Sequence, residues 1–121
     1  MVAFGGLVQQ ASTDPVNGFA LQNATPTIIS WTTPNDNQKH PFVICASINV
    51  TSLETGGQVN GNFTIAGIAA TPQLTAGGSA AGIVNPNYRG GVADPNTTIS
   101  VVQQTALTAG AAVIFAQIMG S

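Results

Sequence analysis

Residues 42–50 read Phe42-Val43-Ile44-Cys45-Ala46-Ser47-Ile48-Asn49-Val50, and this stretch decides the fold class. Apolar side chains occupy its even positions, while Ser47 and Asn49 place polar groups at odd positions. A period of two is typical of a β-strand, because successive side chains along a strand point to opposite faces. The stretch therefore predicts a strand that turns one face toward a hydrophobic core.

Similar patterns on both sides of this stretch predict further strands, at residues 27–33, 59–65, 97–103 and 111–119. Within the second of these, Asn60-Gly61 offers a hairpin turn as the alternative. A helix over residues 101–118 competes with the last two, but Gly110 would cost it about 1 kcal/mol and the β-branched residues favour strands. The last strand is apolar on both faces, which is typical of a strand between two layers or between subunits.

Glycine, proline and asparagine divide the rest of the chain into turns and loops. Residues 69–96 predict long loops around one short strand at Ile83-Val84. Residues 1–18 predict an extended N-terminal arm that ends in a turn. The expected fold is therefore all-β, a small β-sandwich or jelly roll over residues 19–121 with an extended arm over residues 1–18.

The chain carries little charge. Charged residues make up 5% of it, against about 25% in an average soluble domain, and Lys39 and Arg89 supply all of its basic charge. Binding to nucleic acid requires several cations acting together, so we expect no nucleic-acid partner. A surface with so few ions is poorly protected against self-association, which favours a homo-oligomer over the alternative of a neutral monomer.

Membrane insertion and secretion are not expected either. The longest apolar stretch, residues 106–119, is shorter than the roughly 20 residues that cross a bilayer. The first residues, MVAFGGLVQQ, lack the cationic start and the sustained apolar segment of a secretory signal.

Residues with catalytic chemistry are sparse. The single histidine, His40, and the single cysteine, Cys45, would point to opposite faces of the strand, which excludes a local nucleophile–base pair. We interpret Cys45 as a small buried hydrophobe and His40 as a solvated turn residue. One histidine and one cysteine cannot form a tetrahedral zinc site, and we expect no catalytic residue, metal or cofactor. Paired carboxylates for glycoside cleavage stay open, although each aspartate also fits a turn.

Two segments carry a resemblance to a known family. Residues 107–113, Leu-Thr-Ala-Gly-Ala-Ala-Val, and the apolar strand after them resemble the penultimate turn of trimeric jelly rolls related to tumour necrosis factor and complement-type heads, with Ala111 where that family has an acid. Residues 41–46, Pro-Phe-Val-Ile-Cys-Ala, resemble a strand of the same folds. With its many Ala, Gly, Thr and Asn residues, the chain is most similar to small jelly rolls of tailed-phage virions, the head decoration (cement) proteins and fibre-tip domains.

The resemblance implies a trimeric structural protein on the capsid surface of a virion, with the major capsid protein as its partner. Phe4, Leu7 and Val8 of the arm are the candidate contacts with the capsid. The alternative is a trimeric fibre or spike head that binds a host receptor or glycan through Tyr88 and Arg89 in the glycine-rich loop. A tail-tube or pilus-like subunit is a third interpretation.

Overall fold

The computed structural model describes residues 6–52, 58–65, 68–77, 82–103, 106 and 110–121. Within these residues the chain forms nine strands: β1 (Val8–Ser12), β2 (Phe19–Ala20), β3 (Thr27–Thr32), β4 (His40–Ser52), β5 (Gln58–Ile65), β6 (Ile68–Gly77), β7 (Gly82–Ala93), β8 (Thr98–Gln103) and β9 (Ala111–Gly120). The predictions of strands at β3, β4, β5, β8 and β9 are confirmed. The alternative of a helix over residues 101–118 is wrong, because β8 and β9 occupy most of that range.

The strands form two antiparallel sheets that pack face to face. Sheet A has the order β1-β9-β4-β7, with β2 also paired to β9, and sheet B has the order β3-β8-β5-β6. Except for the β1–β2 and β5–β6 connections, each strand is followed along the chain by a strand of the other sheet. The expectation of an all-β sandwich is therefore confirmed.

The core lies between the two sheets and is built from alternate residues. In β4 the even positions from Phe42 to Ile48 are buried, and in β9 the even positions from Ala112 to Ile118 are buried. Ile99 and Val101 of β8 fill the core from sheet B. Burying one such aliphatic side chain contributes about 1.5–3 kcal/mol relative to leaving it exposed. The period of two in residues 42–50 thus marks the core face, as the sequence predicts.

A buried glutamine at the end of β8, Gln103, binds the segment that precedes β3. Gln103 is fully buried, and its side-chain amide donates to the carbonyl oxygen of Gln22 at 2.7 Å while its side-chain oxygen accepts from the Gln22 backbone N–H at 3.0 Å. Both ends of the buried amide are thereby satisfied, which avoids the cost of about 1–3 kcal/mol for an unpaired polar group. The pair holds the segment before β3 against the end of β8.

The prediction of long loops over residues 69–96 is wrong, since β6 and β7 occupy most of that range. Pro86 lies in a bulge of β7, where the register with β4 shifts between Ala46 and Ile48. β7 is an edge strand of sheet A. Proline is tolerated in a bulge of an edge strand, because its missing N–H does not interrupt the hydrogen bonds between two central strands. Gly91 is needed for packing instead of a turn, because a Cβ there would lie 3.0 Å from the ring of Phe42.

The N-terminal segment joins the sandwich along part of its length. The sequence assigned no strand to Leu7 and Val8, but the structure places Val8–Ser12 in β1, with Val8 opposite Gly120 of β9. The following turn is fixed by Asp14, whose carboxylate accepts hydrogen bonds from the backbone N–H groups of Val16 at 2.8 Å and Asn17 at 3.0 Å. These two hydrogen bonds lower the pKa of Asp14 below its usual 3.8. Residues 8–12 of the predicted arm therefore lie on their own domain.

Trp31 of sheet B packs directly on the backbone of Gly120 in sheet A. A Cβ added at residue 120 would collide with Cζ3 and Cη2 of the Trp31 ring. This contact therefore requires a residue without a side chain at position 120. Trp31 in turn covers the end of the core.

We predict that Gly120→Ala lowers the free energy of unfolding by about 1–3 kcal/mol, because the added methyl group overpacks the contact with Trp31. Urea denaturation followed by far-ultraviolet circular dichroism measures the loss, because this signal does not depend on Trp31. Gly6→Ala is the matched control, since a Cβ there meets nothing within 4 Å. The loss should shrink in a Trp31→Leu background, where the colliding ring atoms are absent. Equal stability of the wild type and Gly120→Ala would contradict this account of the contact.

Candidate interaction surface

The residues predicted as contacts lie at the two opposite edges of sheet A. Phe4 lies outside the described residues. Leu7 is half-buried just before β1, and Val8 is 52% exposed at the start of that strand. Tyr88, which is 67% exposed, and Arg89, also exposed, belong to the edge strand β7. The prediction that Tyr88 and Arg89 sit in a glycine-rich loop is therefore wrong; the glycines after them lie in a strand.

Tyr88 and Arg89 point to opposite sides of β7. Tyr88 is paired with Cys45, whose side chain faces away from the core, whereas Arg89 is paired with Ile44, which is fully buried on the core side. Neighbouring side chains of a strand alternate between its faces. A partner that contacts both residues would have to wrap around the edge of the sheet.

The side of sheet A that faces away from sheet B forms a continuous surface, which we call the outer face. Strand register assigns to it Gln9 and Ser12 of β1; Val113, Phe115, Gln117 and Met119 of β9; Val43, Cys45, Ser47 and Asn49 of β4; and Tyr88 and Val92 of β7. None of these residues is an Asp, Glu, Lys, Arg or His. The apolar odd positions that the sequence showed in the last strand, from Val113 to Met119, therefore belong to an uncharged surface.

A hollow of about 340 Å³ indents the outer face on the β1 side. Its lining consists of Gln9, Ser12, Thr13, Pro15, Cys45, Ser47, Phe115, Ala116 and Gln117. These side chains supply neutral hydrogen-bond donors and acceptors around one aromatic ring. Sequence reasoning missed this site because it joins β1 to β9, which lie at opposite ends of the chain. Only the alternation of polar and apolar residues in each strand was available as a signal.

Cys45 and Tyr88 form a cross-strand pair within the outer face. Cys45 is half-buried there and does not contribute to the core, which corrects the interpretation of this residue as a buried hydrophobe. Three effects raise the pKa of Tyr88 above 10.0. The largest is a hydrogen bond with the Cys45 side chain, the next is the electrostatic interaction with Cys45, and the smallest is desolvation by burial. Tyr88 is therefore a neutral phenol at physiological pH. The outer face gains no charge from it.

The Asp, Lys, Arg and His residues of the described chain lie outside this face, and several gather at one end of the sandwich. Lys39 and Asp94 form an exposed ion pair. His40 is only 5% exposed, so the prediction that it is a solvated turn residue is wrong. It begins β4 on the core side, opposite Ala93, and its position in the strand carries the imidazole inward.

His40 connects a turn to the end of β9. Its Nε2 lies 2.7 Å from Oδ1 of Asp36, and its Nδ1 lies 2.6 Å from the backbone carbonyl oxygen of Ser121. Both oxygens are acceptors, so both ring nitrogens must carry a proton for both hydrogen bonds to form. The hydrogen bond with Asp36 accordingly raises the pKa of His40 above 6.5, and the same bond lowers the pKa of Asp36 below 3.8.

The described part of the chain contains no group of three or more His, Cys, Asp or Glu side chains close enough together to hold a metal ion. Among the same residues, no helix has the length and apolar content needed to cross a membrane. Asp36 is engaged with His40 and with the backbone N–H of Gln38 at 3.1 Å.

Comparisons of the chain with models of known protein families, with curated proteins and with solved structures find no match.

We predict that the pKa of His40 lies above 6.5 and falls in Asp36→Asn, because the carboxylate that favours the imidazolium is removed. As the only histidine, it gives an unambiguous NMR titration. Asp94→Asn removes the same charge from the exposed ion pair and is the matched control.

The Asp36–His40–Ser121 hydrogen-bond bridge also makes the free energy of unfolding depend on pH. The raised pKa of His40 adds stability that is present below 6.5 and is lost as pH rises through the folded-state value. The lowered pKa of Asp36 adds stability that is present above 3.8 and is lost as pH falls through its folded-state value. Urea denaturation should therefore show the largest deficit of Asp36→Asn at about pH 5 and a smaller one in alkali. A His40 pKa that Asp36→Asn leaves unchanged would refute the bridge.

Proposed function

We propose that this chain is a structural protein of a virus particle, a capsid decoration (cement) subunit that acts as a homo-oligomer, with a trimer as the expected form. The single observation that carries the proposal is the outer face of sheet A, a surface without ionic side chains on a chain with very few ions. Such a face is suited to being covered in an assembly, because nothing on it gains from hydration as a charge would. In this proposal, the surface area buried between the subunit and the shell stabilises the shell, and no reacting group is required.

The strand order supports a jelly roll as the specific form of the sandwich. Each sheet holds four strands in its main path, β1-β9-β4-β7 and β3-β8-β5-β6, and most connections cross from one sheet to the other. Jelly rolls are double-sheet folds of eight strands and occur widely among viral capsid proteins. The fold alone does not define a function, so this likeness only adds to the argument from the surface.

A cement subunit stabilises a shell by binding the assembled form and not its separated parts. The stabilisation grows with concentration above the dissociation constant, as for any ligand of one state. A surface with few charges would bind mainly through apolar contact, and such contact is little weakened by salt. These properties suit a protein that must stay on a particle outside the cell.

The N-terminal segment is the proposed contact with the major capsid protein. Val8 is 52% exposed at the edge of sheet A, and Leu7 is half-buried beside it. Both lie at the start of β1, next to the end of β9.

We predict that deleting residues 1–7 leaves a folded oligomer that no longer adds to capsids, because the cut removes Phe4 and Leu7 but keeps the pairing of β1 with β9. The assay mixes purified protein with shells made from the major capsid protein of the same genome and measures occupancy by electron microscopy. Val16→Ser is the control, since Val16 is 81% exposed on a turn that the proposal does not use. Normal occupancy of the capsid by the shortened protein would show that Phe4 and Leu7 are not needed for the contact.

A receptor-binding fibre or spike head is the second candidate, favoured by one observation. Tyr88 and Arg89 are both exposed on the edge strand β7, where an aromatic ring and a cation are available to a glycan or protein. In that case, Tyr88→Ala with Arg89→Ala should abolish adsorption to host cells or glycans and leave particle assembly intact. Unchanged adsorption would reject this candidate.

A further inference from the structure

We infer that the outer face of sheet A binds a second copy of this chain. This inference rests on the proposed homo-oligomer and assigns the contact to particular residues. The surface runs from Gln9 and Ser12 at the β1 edge, across β9 and β4, to Tyr88 and Val92 at the β7 edge.

The electrostatics of the face favour a copy of itself as the occupant. Its residues include no Asp, Glu, Lys, Arg or His, so two copies meet without repulsion between like charges. A strongly charged partner would find no opposite charges there, and its own ions would lose hydration without compensation. Of the ions that the described residues carry, Lys39, Asp94 and Asp14 lie in turns and at strand ends, and Arg89 lies within β7 on the side opposite to the outer face.

The chemistry of the face matches the centre of a protein–protein interface. Phe115, Met119 and Val43 lie at its middle and are half-buried, so each still has surface to lose. Interface centres are poor in charge and enriched in aromatic residues and methionine. Gln117 and Gln9 carry amides that both donate and accept, so the same groups on two copies can pair with each other.

The area of the face is close to that of a specific contact. Strands are spaced by about 4.8 Å and rise about 3.4 Å per residue, so three strands of β9's 10 residues, with the 5 residues of β1 beside them, cover roughly 570 Å². Specific interfaces bury about 600–1,000 Å² on each partner. The outer face therefore comes close to the lower end of that range before any contribution from turns.

The shape of the face allows two copies to fit together. The hollow of about 340 Å³ lies on the β1 side, and Tyr88, which is 67% exposed, lies on the β7 edge and pairs with Cys45, which lines the hollow. When two copies stack face to face about an axis parallel to the strands, β7 of one copy lies over β1 of the other. Tyr88 of each copy then lies over the hollow of its neighbour.

The test introduces charge into the face and measures self-association by sedimentation equilibrium. Val43 and Met119 are directly opposite each other in the strand register, so Val43→Lys with Met119→Lys places two cations at the centre of the contact. Val92→Lys adds one cation at a site that is already 60% exposed and that should fold normally. Like charges in a contact should weaken association by about 100-fold or more. Ser30→Lys adds the same charge to an exposed position of sheet B and should associate as the wild type does.

The outcomes separate this inference from the proposed function, because capsid occupancy is measured on the same samples. Oligomeric wild type with monomeric outer-face variants supports the inference, even if no sample binds capsids and the proposed function fails. Outer-face variants that associate like the wild type overturn the inference, while capsid binding by all samples would leave the proposed function standing. A monomeric wild type also overturns it. If the charged variants of that monomer lose capsid binding, the outer face contacts the shell instead.

Discussion

Strand β9 is the element on which the rest of the sandwich depends. It pairs with β4 along one edge and with both β1 and β2 along the other, so it holds three segments that are far apart in the chain. Its even positions from Ala112 to Ile118 enter the core, and Gly120 lets sheet B approach through Trp31. A central strand of this kind cannot shift by one residue, because a shift would exchange its core side chains for those of the outer face.

The same alternation that builds the core also creates the surface on which the functional proposal rests. In β4 and β9, the positions between core residues carry Val43, Phe115 and Met119 together with neutral polar groups. Sheets that face water on one side usually place charged or strongly polar residues there. Here both faces of the central strands carry many apolar side chains. Sheet B covers the inner face, and no sheet formed by the described residues packs against the outer face of sheet A. An uncovered layer of this kind is typical of a protein that works in an assembly.

Apart from Arg89 in β7, the charged side chains of the described residues lie in turns and at strand ends. Asp14 accepts two backbone hydrogen bonds in the β1–β2 turn, and Asp36 is held by His40, which also reaches Ser121. These contacts order the segments that enter and leave the sheets. They leave the outer face neutral, so solubility of the isolated chain depends on amides and hydroxyls. A protein with that surface gains more from association than one protected by net charge.

The sequence by itself determined the all-β class and the positions of β3, β4, β5, β8 and β9, because alternation with a period of two is a local property of each strand. It also determined that β9 has two apolar faces. The tertiary structure alone decided which strands pair, that residues 8–12 join sheet A, and that β6 and β7 are strands.

Proline and glycine explain the errors in residues 69–96. Pro86 is accommodated by a bulge at the sheet edge and Gly91 by the ring of Phe42, and both reasons lie in a neighbouring strand. His40 was misassigned for the same cause, since its acceptors come from a turn and from the end of β9. Pairing brings together residues that are distant in the chain, and a pattern within one segment carries no information about the partner that it will meet.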